Sequence, residues 1–284
     1  MNRKETAFGK DRIAFAWRSQ DGRLSVELRE KAWETEFFAR RFGRLALERQ
    51  EPKDVEAPAL DRALREALSS GDRDGFDLIE VELDTSWFPH IGLFEDHGFR
   101  LVDTKVRFLT FAQKPKMDGE QIPEGDVLFA SEDMKEEILG LTRKAFVENP
   151  LFTSRFNNPA YFSRQDTERY YAARIENSMR DRNSLFAVMR DEGRIVGYLI
   201  YTRAGEHRGD PLYKATLIAV APEHRGKRIY FALGSFIYRH FPEGDVYLDM
   251  TTQLTNLSAL RNLIKERRTL EKVQMVFYRR KKPS

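Results

Sequence analysis

A basic loop between two apolar stretches is the part of the sequence best suited to chemistry. Residues 217–233 read LIAVAPEHRGKRIYFAL, so an apolar strand closes at Pro222 and the run RGKR at 225–228 opens a helix. The first N–H groups of a helix have no partner within it and carry partial positive charge. A phosphate group could therefore lie against this loop. A plain basic turn explains the same residues equally well.

The composition argues against several other chemistries. The chain has no cysteine, which removes a thiolate nucleophile and a thiolate metal site, and its five histidines show no metal-ligand spacing, so no metal is expected. With 48 basic and 45 acidic residues, a nucleic-acid partner is not expected. No apolar run approaches the ~20 residues that span a bilayer, and no signal peptide is apparent. No membrane partner is expected, and a cytoplasmic location is the default.

The polar segment 113–125, which contains Pro and Gly, predicts a linker. We place a domain boundary there, which gives domains at 1–117 and 118–284. In the first domain, apolar spacing predicts a helix over 58–68 that ends before Gly71, and a second helix over 87–97. Strands are predicted at 76–83 and 99–108, which together indicate a small α/β unit.

The second domain is predicted to run β-α-α-β-β-β-loop-α-β-α-β. Glu192-Gly193 is a hairpin signal between the second and third of these strands. The predicted strands lie at 127–129, 185–189, 195–202, 212–220, 246–250 and 270–279, and the helices at 132–146, 164–179, 229–240 and 256–265.

The loop and its flanks resemble the acetyl-CoA signature of the GNAT superfamily, V-x-P-x-x-R-G-x-G-x-G-x-x-L. The resemblance implies a mixed-sheet α/β fold, with a GNAT fold preceded by a smaller, truncated GNAT-like α/β domain. It implies acetyl-CoA or another acyl-CoA as donor, with loop N–H groups around its pyrophosphate and the strand facing its acyl carbonyl. The implied donor contacts are Ile218, Ala219, Val220, Arg225, Gly226, Lys227, Arg228, Tyr230 and Asn256.

Six further segments, at 33–38, 98–103, 168–178, 250–253, 256–261 and 276–279, are similar to the TDP-fucosamine acetyltransferase family. This resemblance implies that the acceptor is the amine of a nucleotide-linked amino sugar, and it favours a homodimer. It also implies that Tyr170, Tyr171 and Asn177 form a wall of the acceptor site. The alternative for the two tyrosines is a helix with an aromatic face in the core.

The chain departs from the family pattern at several positions. Arg228 and Tyr230 stand where the loop has glycines, and glycine lets backbone approach phosphate without a Cβ. Leu263 stands at the family's general-acid tyrosine, so the catalytic acid is unknown; Arg267 replaces a family glycine. For Asn256, a helix N-cap is the favoured interpretation over a hydrogen bond to the pantetheine arm. Tyr198 and Tyr201 lie near the expected acyl site without family counterparts as acids.

Three hypotheses remain open. In the first, the chain is an acyl-CoA-dependent N-acyltransferase: a small-molecule amine attacks the thioester directly, and a backbone N–H of Ala219 or Val220 holds the oxyanion. In the second, it is a non-catalytic GNAT-fold binding or regulatory protein with a degenerate CoA site. In the third, the donor is an acyl carrier protein. Its phosphopantetheine lacks the adenosine diphosphate part of CoA, so no binding site for that part is needed.

Overall fold

The computed structural model describes residues 11–49, 55–112, 126–242 and 244–281, and the chain forms two compact units. The first unit comprises Met1–Lys105 and Val273–Ser284, and the second comprises Val106–Lys272. The predicted linker at 113–125, with the boundary at 117 and 118, lies outside the described residues. The last strand, Thr269–Arg280, belongs to the first unit from Val273 onward, so the second unit ends at Lys272.

The first unit is a mixed sheet with three helices. The sheet order is β1-β2-β3-β4-β11, in which β3 and β4 are parallel and the other neighbours are antiparallel. The elements are β1 (Ile13–Arg18), β2 (Leu24–Glu30), α1 (Ala32–Phe38), β3 (Phe42–Arg49), α2 (Ala57–Arg73), β4 (Leu78–Asp84), α3 (Ile91–Asp96) and β11 (Thr269–Arg280), while β5 (Arg100–Ala112) runs across the division between the units.

Helix α2 shows how the apolar pattern builds the first core. Its residues Leu60, Leu64 and Leu68 recur at helical spacing and are all buried. The predicted end before Gly71 is wrong, because the helix continues to Arg73. Gly71 allows this close packing, since a Cβ there would lie 3.0 Å from side-chain atoms of both Leu28 and Ile79.

Two other expectations for this unit need correction. The strands β1, β2 and β3 were not predicted, although Val26 and Leu28 alternate with Glu27 and Arg29 as in a half-buried strand. The helix predicted over 87–97 is divided into a 3-10 helix at Thr85–His90, which contains Pro89, and α3.

The second unit follows the predicted order of elements. Its sheet order is β5-β10-β9-β8-β7-β6, in which β9 and β10 are parallel. Glu192 and Gly193 have φ angles of 49° and 76°, as a two-residue hairpin turn requires. The elements are β6 (Asp126–Phe129), α4 (Lys135–Phe146), α5 (Arg164–Arg180), β7 (Ser184–Asp191), β8 (Arg194–His207), β9 (Asp210–Val220), α6 (Ile229–Arg239), β10 (Val246–Gln253) and α7 (Leu257–Lys265).

Gly197 on β8 fixes the start of α6 against the sheet. A Cβ at this position would lie 2.7 Å from Ile229 Cγ2 and 3.3 Å from the carbonyl oxygen of Ala219. Only glycine therefore lets the first residue of α6 pack directly beside the end of β9. Among the helices of the described residues, none is long and apolar enough to cross a membrane.

Candidate functional site

The parallel strands β9 and β10 are paired over only part of their length. The register joins Leu212, Tyr213 and Lys214 of β9 to residues 247–249 of β10. Beyond that point β9 runs on to Val220 and β10 to Gln253 with no pairing between them in the described residues. The two strands thus leave a gap between their C-terminal halves, which we call the strand gap.

The backbone of β9 presents hydrogen-bonding groups to this gap. The N–H of Ala221 donates to Val196 O of β8 at 2.9 Å, and the antiparallel register pairs Ala219 with Tyr198. Because bonding directions alternate along a strand, Ala219 bonds toward β8, whereas Ile218 and Val220 face the opposite side. Of the two predicted oxyanion donors, Val220 therefore has its N–H toward the gap and Ala219 does not.

The basic loop keeps glycine-like backbone geometry at two of the three signature positions. Gly226 has φ 81° and Arg228 has φ 60°, both in the left-handed region. The Arg228 carbonyl accepts from the N–H groups of Phe231 at 2.9 Å and Ala232 at 3.2 Å, so this arginine caps α6. Arg225 and Lys227 are exposed on the same loop. Three basic residues and one glycine therefore lie directly before the N-terminus of α6, which carries partial positive charge.

Tyr230 occupies the third signature position, and its side chain reaches the strand gap. Its hydroxyl donates to Glu266 Oε2 at 3.0 Å and lies 3.4 Å from Met250 Sδ on β10. The Tyr201 hydroxyl of β8 approaches the same sulfur at 3.3 Å, and Arg268 donates to Glu266. Two phenol groups thus converge on the β10 side of the gap.

Burial keeps both of these phenols protonated. Desolvation raises the pKa of Tyr230 well above its ordinary value, and Arg268 opposes the shift only in part. Desolvation likewise raises the pKa of Tyr201. Both hydroxyls consequently act as hydrogen-bond donors over the whole neutral range.

Helix α7 places the other family positions. The Asn256 side chain accepts from Ala259 N at 3.2 Å, which is the N-cap geometry. Leu263 is buried, with 3% of its surface exposed, and packs as a core residue. Arg267 has φ 56°, and the bonds Arg267 N to Ile264 O and Arg268 N to Leu263 O close the helix in the Schellman pattern.

The three predicted acceptor residues lie on α5, but they are not equivalent. Tyr170 and Tyr171 are buried, and Tyr171 stacks on Phe146 with ring centroids 4.8 Å apart. Asn177 is exposed. The tyrosines therefore form part of the core of this unit, and Asn177 lies apart from it on the solvent side.

Sequence reasoning missed the side chains that meet Tyr230. Met250 lies on β10, and Glu266 and Arg268 lie just after α7. All three are far from the loop in sequence, and only the tertiary fold brings them near Tyr230. In the described part of the chain, no group of three or more His, Cys, Asp or Glu side chains could hold a metal ion.

Comparison with known proteins agrees with this geometry. Residues 151–263 match the model of the Acetyltransferase (GNAT) family. A GCN5-related N-acetyltransferase from Sphaerobacter thermophilus superposes with TM-score 0.59 at 16% identity, covering 94% of this chain and 80% of that one. A functionally unknown conserved protein from Staphylococcus epidermidis gives TM-score 0.59 at 10% identity, covering 92% of both chains.

A third similar structure is a tandem GNAT protein from the clavulanic acid biosynthesis pathway, with TM-score 0.54 at 13% identity over 94% of this chain and 82% of that one. Among curated proteins, none matches this chain. The chain thus has the mixed α/β fold of GNAT proteins, and the segment that matches the family model lies within the second unit.

Proposed function

We propose that the second unit transfers an acyl group from acetyl-CoA or another acyl-CoA to a small-molecule amine. The observation that carries this proposal is the strand gap, which lies beside a loop with left-handed backbone at Gly226 and Arg228. The loop and the start of α6 supply N–H groups and positive charge for a pyrophosphate. The Val220 N–H on the open edge is suited to an oxyanion at the acyl carbonyl.

In the proposed reaction, the neutral amine adds to the thioester carbonyl, the oxyanion collapses with cleavage of the C–S bond, and the CoA thiolate leaves. The proton that the amine nitrogen loses passes to solvent, from which the thiolate is protonated. Leu263 has no proton to give, so the side chain at the family's acid position does not take part. Alignment of amine and thioester provides much of the rate in such a reaction. The family resemblance further suggests a nucleotide-linked amino sugar as acceptor, and it suggests a homodimer.

The Tyr230 side chain favours a second candidate function. The Tyr230 side chain extends from α6 to Met250 and Glu266. If the pantetheine part of acyl-CoA binds between β9 and β10, this ring has to rotate away. A chain in which Tyr230 never leaves this position is a non-catalytic protein with the GNAT fold. A carrier-protein donor remains a third candidate, because it needs no grip on adenosine diphosphate.

Calorimetric titration with acetyl-CoA, a longer acyl-CoA and free CoA separates these candidates. The enzyme proposal expects binding by the native chain and binding at least as tight by Tyr230→Phe, which keeps the ring but loses the hydroxyl contacts. If Tyr230→Gly binds a CoA ligand while the native chain and Tyr230→Phe do not, the Tyr230 ring closes the site and the native chain does not use it. No heat from any ligand with any variant overturns the proposal.

Turnover can be followed without background from the protein. The chain contains no cysteine, so a thiol reagent reports only the CoA that is released. A panel of amines, including free and nucleotide-linked amino sugars, is tested with the native chain. If CoA binds but no amine accelerates thiol release, the second candidate replaces the first. Thiol release from an acylated carrier protein, with none from acyl-CoA, supports the third.

A further inference from the structure

Arg174 on α5 is a half-buried cation with no carboxylate partner among the described residues. Its Nη1 donates to the Tyr170 hydroxyl at 3.1 Å, and its Nη2 donates to the carbonyl oxygen of Thr216 at 3.2 Å. Its Nε is buried and has no hydrogen-bond partner within the described residues. Since a guanidinium presents five N–H donors, these two contacts leave most of its donor capacity unused.

The surroundings of Arg174 do not neutralise it. Among the described side chains that act on it most strongly, the charged one is Arg155, which has the same sign, while Tyr170 and Tyr171 are neutral phenols. Arg155 lies over the Phe156 ring at 4.5 Å, and that ring stacks on Tyr170 at 4.0 Å. A cation without a counter-ion in such an apolar setting is costly, so an anionic group that binds there would gain a strong interaction.

The position of Arg174 links it to the strand gap. The register between β8 and β9 joins Ile200 to Leu217 and Tyr201 to Ala215, so Thr216 is an extra, bulged residue on β9. Its carbonyl is the one that Arg174 holds. Thr216 lies two residues beyond Lys214, where pairing with β10 stops. Arg174 is therefore fixed to β9 where the gap begins.

We infer that Arg174 is a carboxylate-binding residue of the acceptor subsite, so that the amine acceptor carries a carboxylate, as an amino acid does. Once the groups that cover Nε move aside, its N–H and an adjacent Nη–H can hold two carboxylate oxygens side by side. A role in holding the bulge alone uses one N–H and leaves the buried Nε unexplained. This inference rests on the proposed acyl-transfer function.

Matched acceptors provide the direct test. Each α-amino acid in a panel is compared with its α-carboxamide in the thiol-release assay. The native chain is expected to prefer the acids by about tenfold or more in kcat/KM, which is the usual scale for a hydrogen bond to a charged group. Arg174→Gln is expected to remove that preference, and Arg180→Gln, at the exposed end of the same helix, to retain it.

Two further variants separate binding from folding. Arg174→Lys keeps the charge but not the paired donors, so it is expected to retain only part of the preference, even if Arg174→Gln fails to fold. Tyr170→Phe removes the hydroxyl that Nη1 contacts and is expected to keep the preference. Equal kcat/KM for acids and amides in the native chain overturns the inference, as does a preference for aminoalkyl phosphonates over carboxylates.

A binding measurement without a donor distinguishes the failure of this inference from the failure of the proposed function. Ligand-observed NMR compares succinate with succinamide on the native chain and on the Arg174 variants. Succinate binding that requires Arg174, together with no turnover of any amine, retains the subsite and rejects the acyl transfer. Turnover of an amine, with no preference for acids and no succinate binding, retains the acyl transfer and rejects the carboxylate subsite.

Discussion

Each unit contains one parallel strand pair joined through a helix, and the two pairs end differently. In the first unit, β3 and β4 are paired over four residues, and the connecting helix α2 buries an apolar face. At the end of β3, Arg49 lies over the Trp87 ring at 4.0 Å. In the second unit, a basic, left-handed loop opens the connecting helix, and polar side chains meet at the diverging strand ends.

The difference teaches that the strand–helix–strand connection does not by itself make a site. Packing fills the divergence in the first unit, while in the second the loop and the open edge of β9 remain beside it. The unfolding of the first unit can be followed separately. All three tryptophans, Trp17, Trp33 and Trp87, lie in the first unit, so fluorescence follows that unit, and far-ultraviolet circular dichroism follows both.

The largest effect is expected for Leu263→Ala in the second unit. This side chain is 3% exposed, so its truncation leaves a cavity and should lower the free energy of unfolding by roughly 2–5 kcal/mol. Denaturant titration measures the loss. Ile264→Ala, at a neighbouring residue that is 65% exposed, is the control and should change it by less than about 0.5 kcal/mol. Equal losses would show that α7 does not pack as described.

Gly197→Val should have the next largest effect. The added Cβ collides with Ile229 and with the backbone of β9, and overpacking of this kind costs about 1–3 kcal/mol. The same substitution should also weaken CoA binding, because it displaces the start of α6. Gly140→Ala on α4 meets no atom within 4 Å and should instead stabilise the helix by roughly 0.5–1 kcal/mol. A neutral Gly197→Val would contradict the close packing.

The smallest effect concerns alkaline pH. Desolvation raises the pKa values of five tyrosines of the second unit above the ordinary value: Tyr171, Tyr198, Tyr201, Tyr230 and Tyr238. Because the unfolded chain loses these protons first, their contribution to stability is complete below pH ~10 and declines as the pH rises further. Phenolate absorbance should therefore show these residues titrating only with unfolding.

Tyr230→Phe provides the control for that titration, since it should remove one delayed group and leave the others. Reversible ionisation of all ten tyrosines near pH ~10, with the circular dichroism spectrum unchanged, would contradict the burial of these phenols.

The order of elements in the second unit could be predicted because several of them are long apolar runs, as in residues 195–202 and 229–240. The strands β1 to β3 were missed although apolar and charged residues alternate along β2, since these strands are short and many of their residues are charged. The sequence also predicted the loop, because Arg225-Gly226 follows an apolar strand. It did not predict that Tyr230 meets Met250 and Glu266, or that Arg174 holds Thr216, since those contacts join residues that are distant along the chain.

The left-handed backbone at Arg228 and Arg267 has a consequence for mutagenesis. Both residues adopt a conformation that costs an arginine roughly 1–2 kcal/mol and a glycine almost nothing. A substitution to glycine at either position would therefore need no rebuilding of the chain around it. Point mutations in a selection experiment would thus change the side chains of this crevice while its backbone scaffold stays intact.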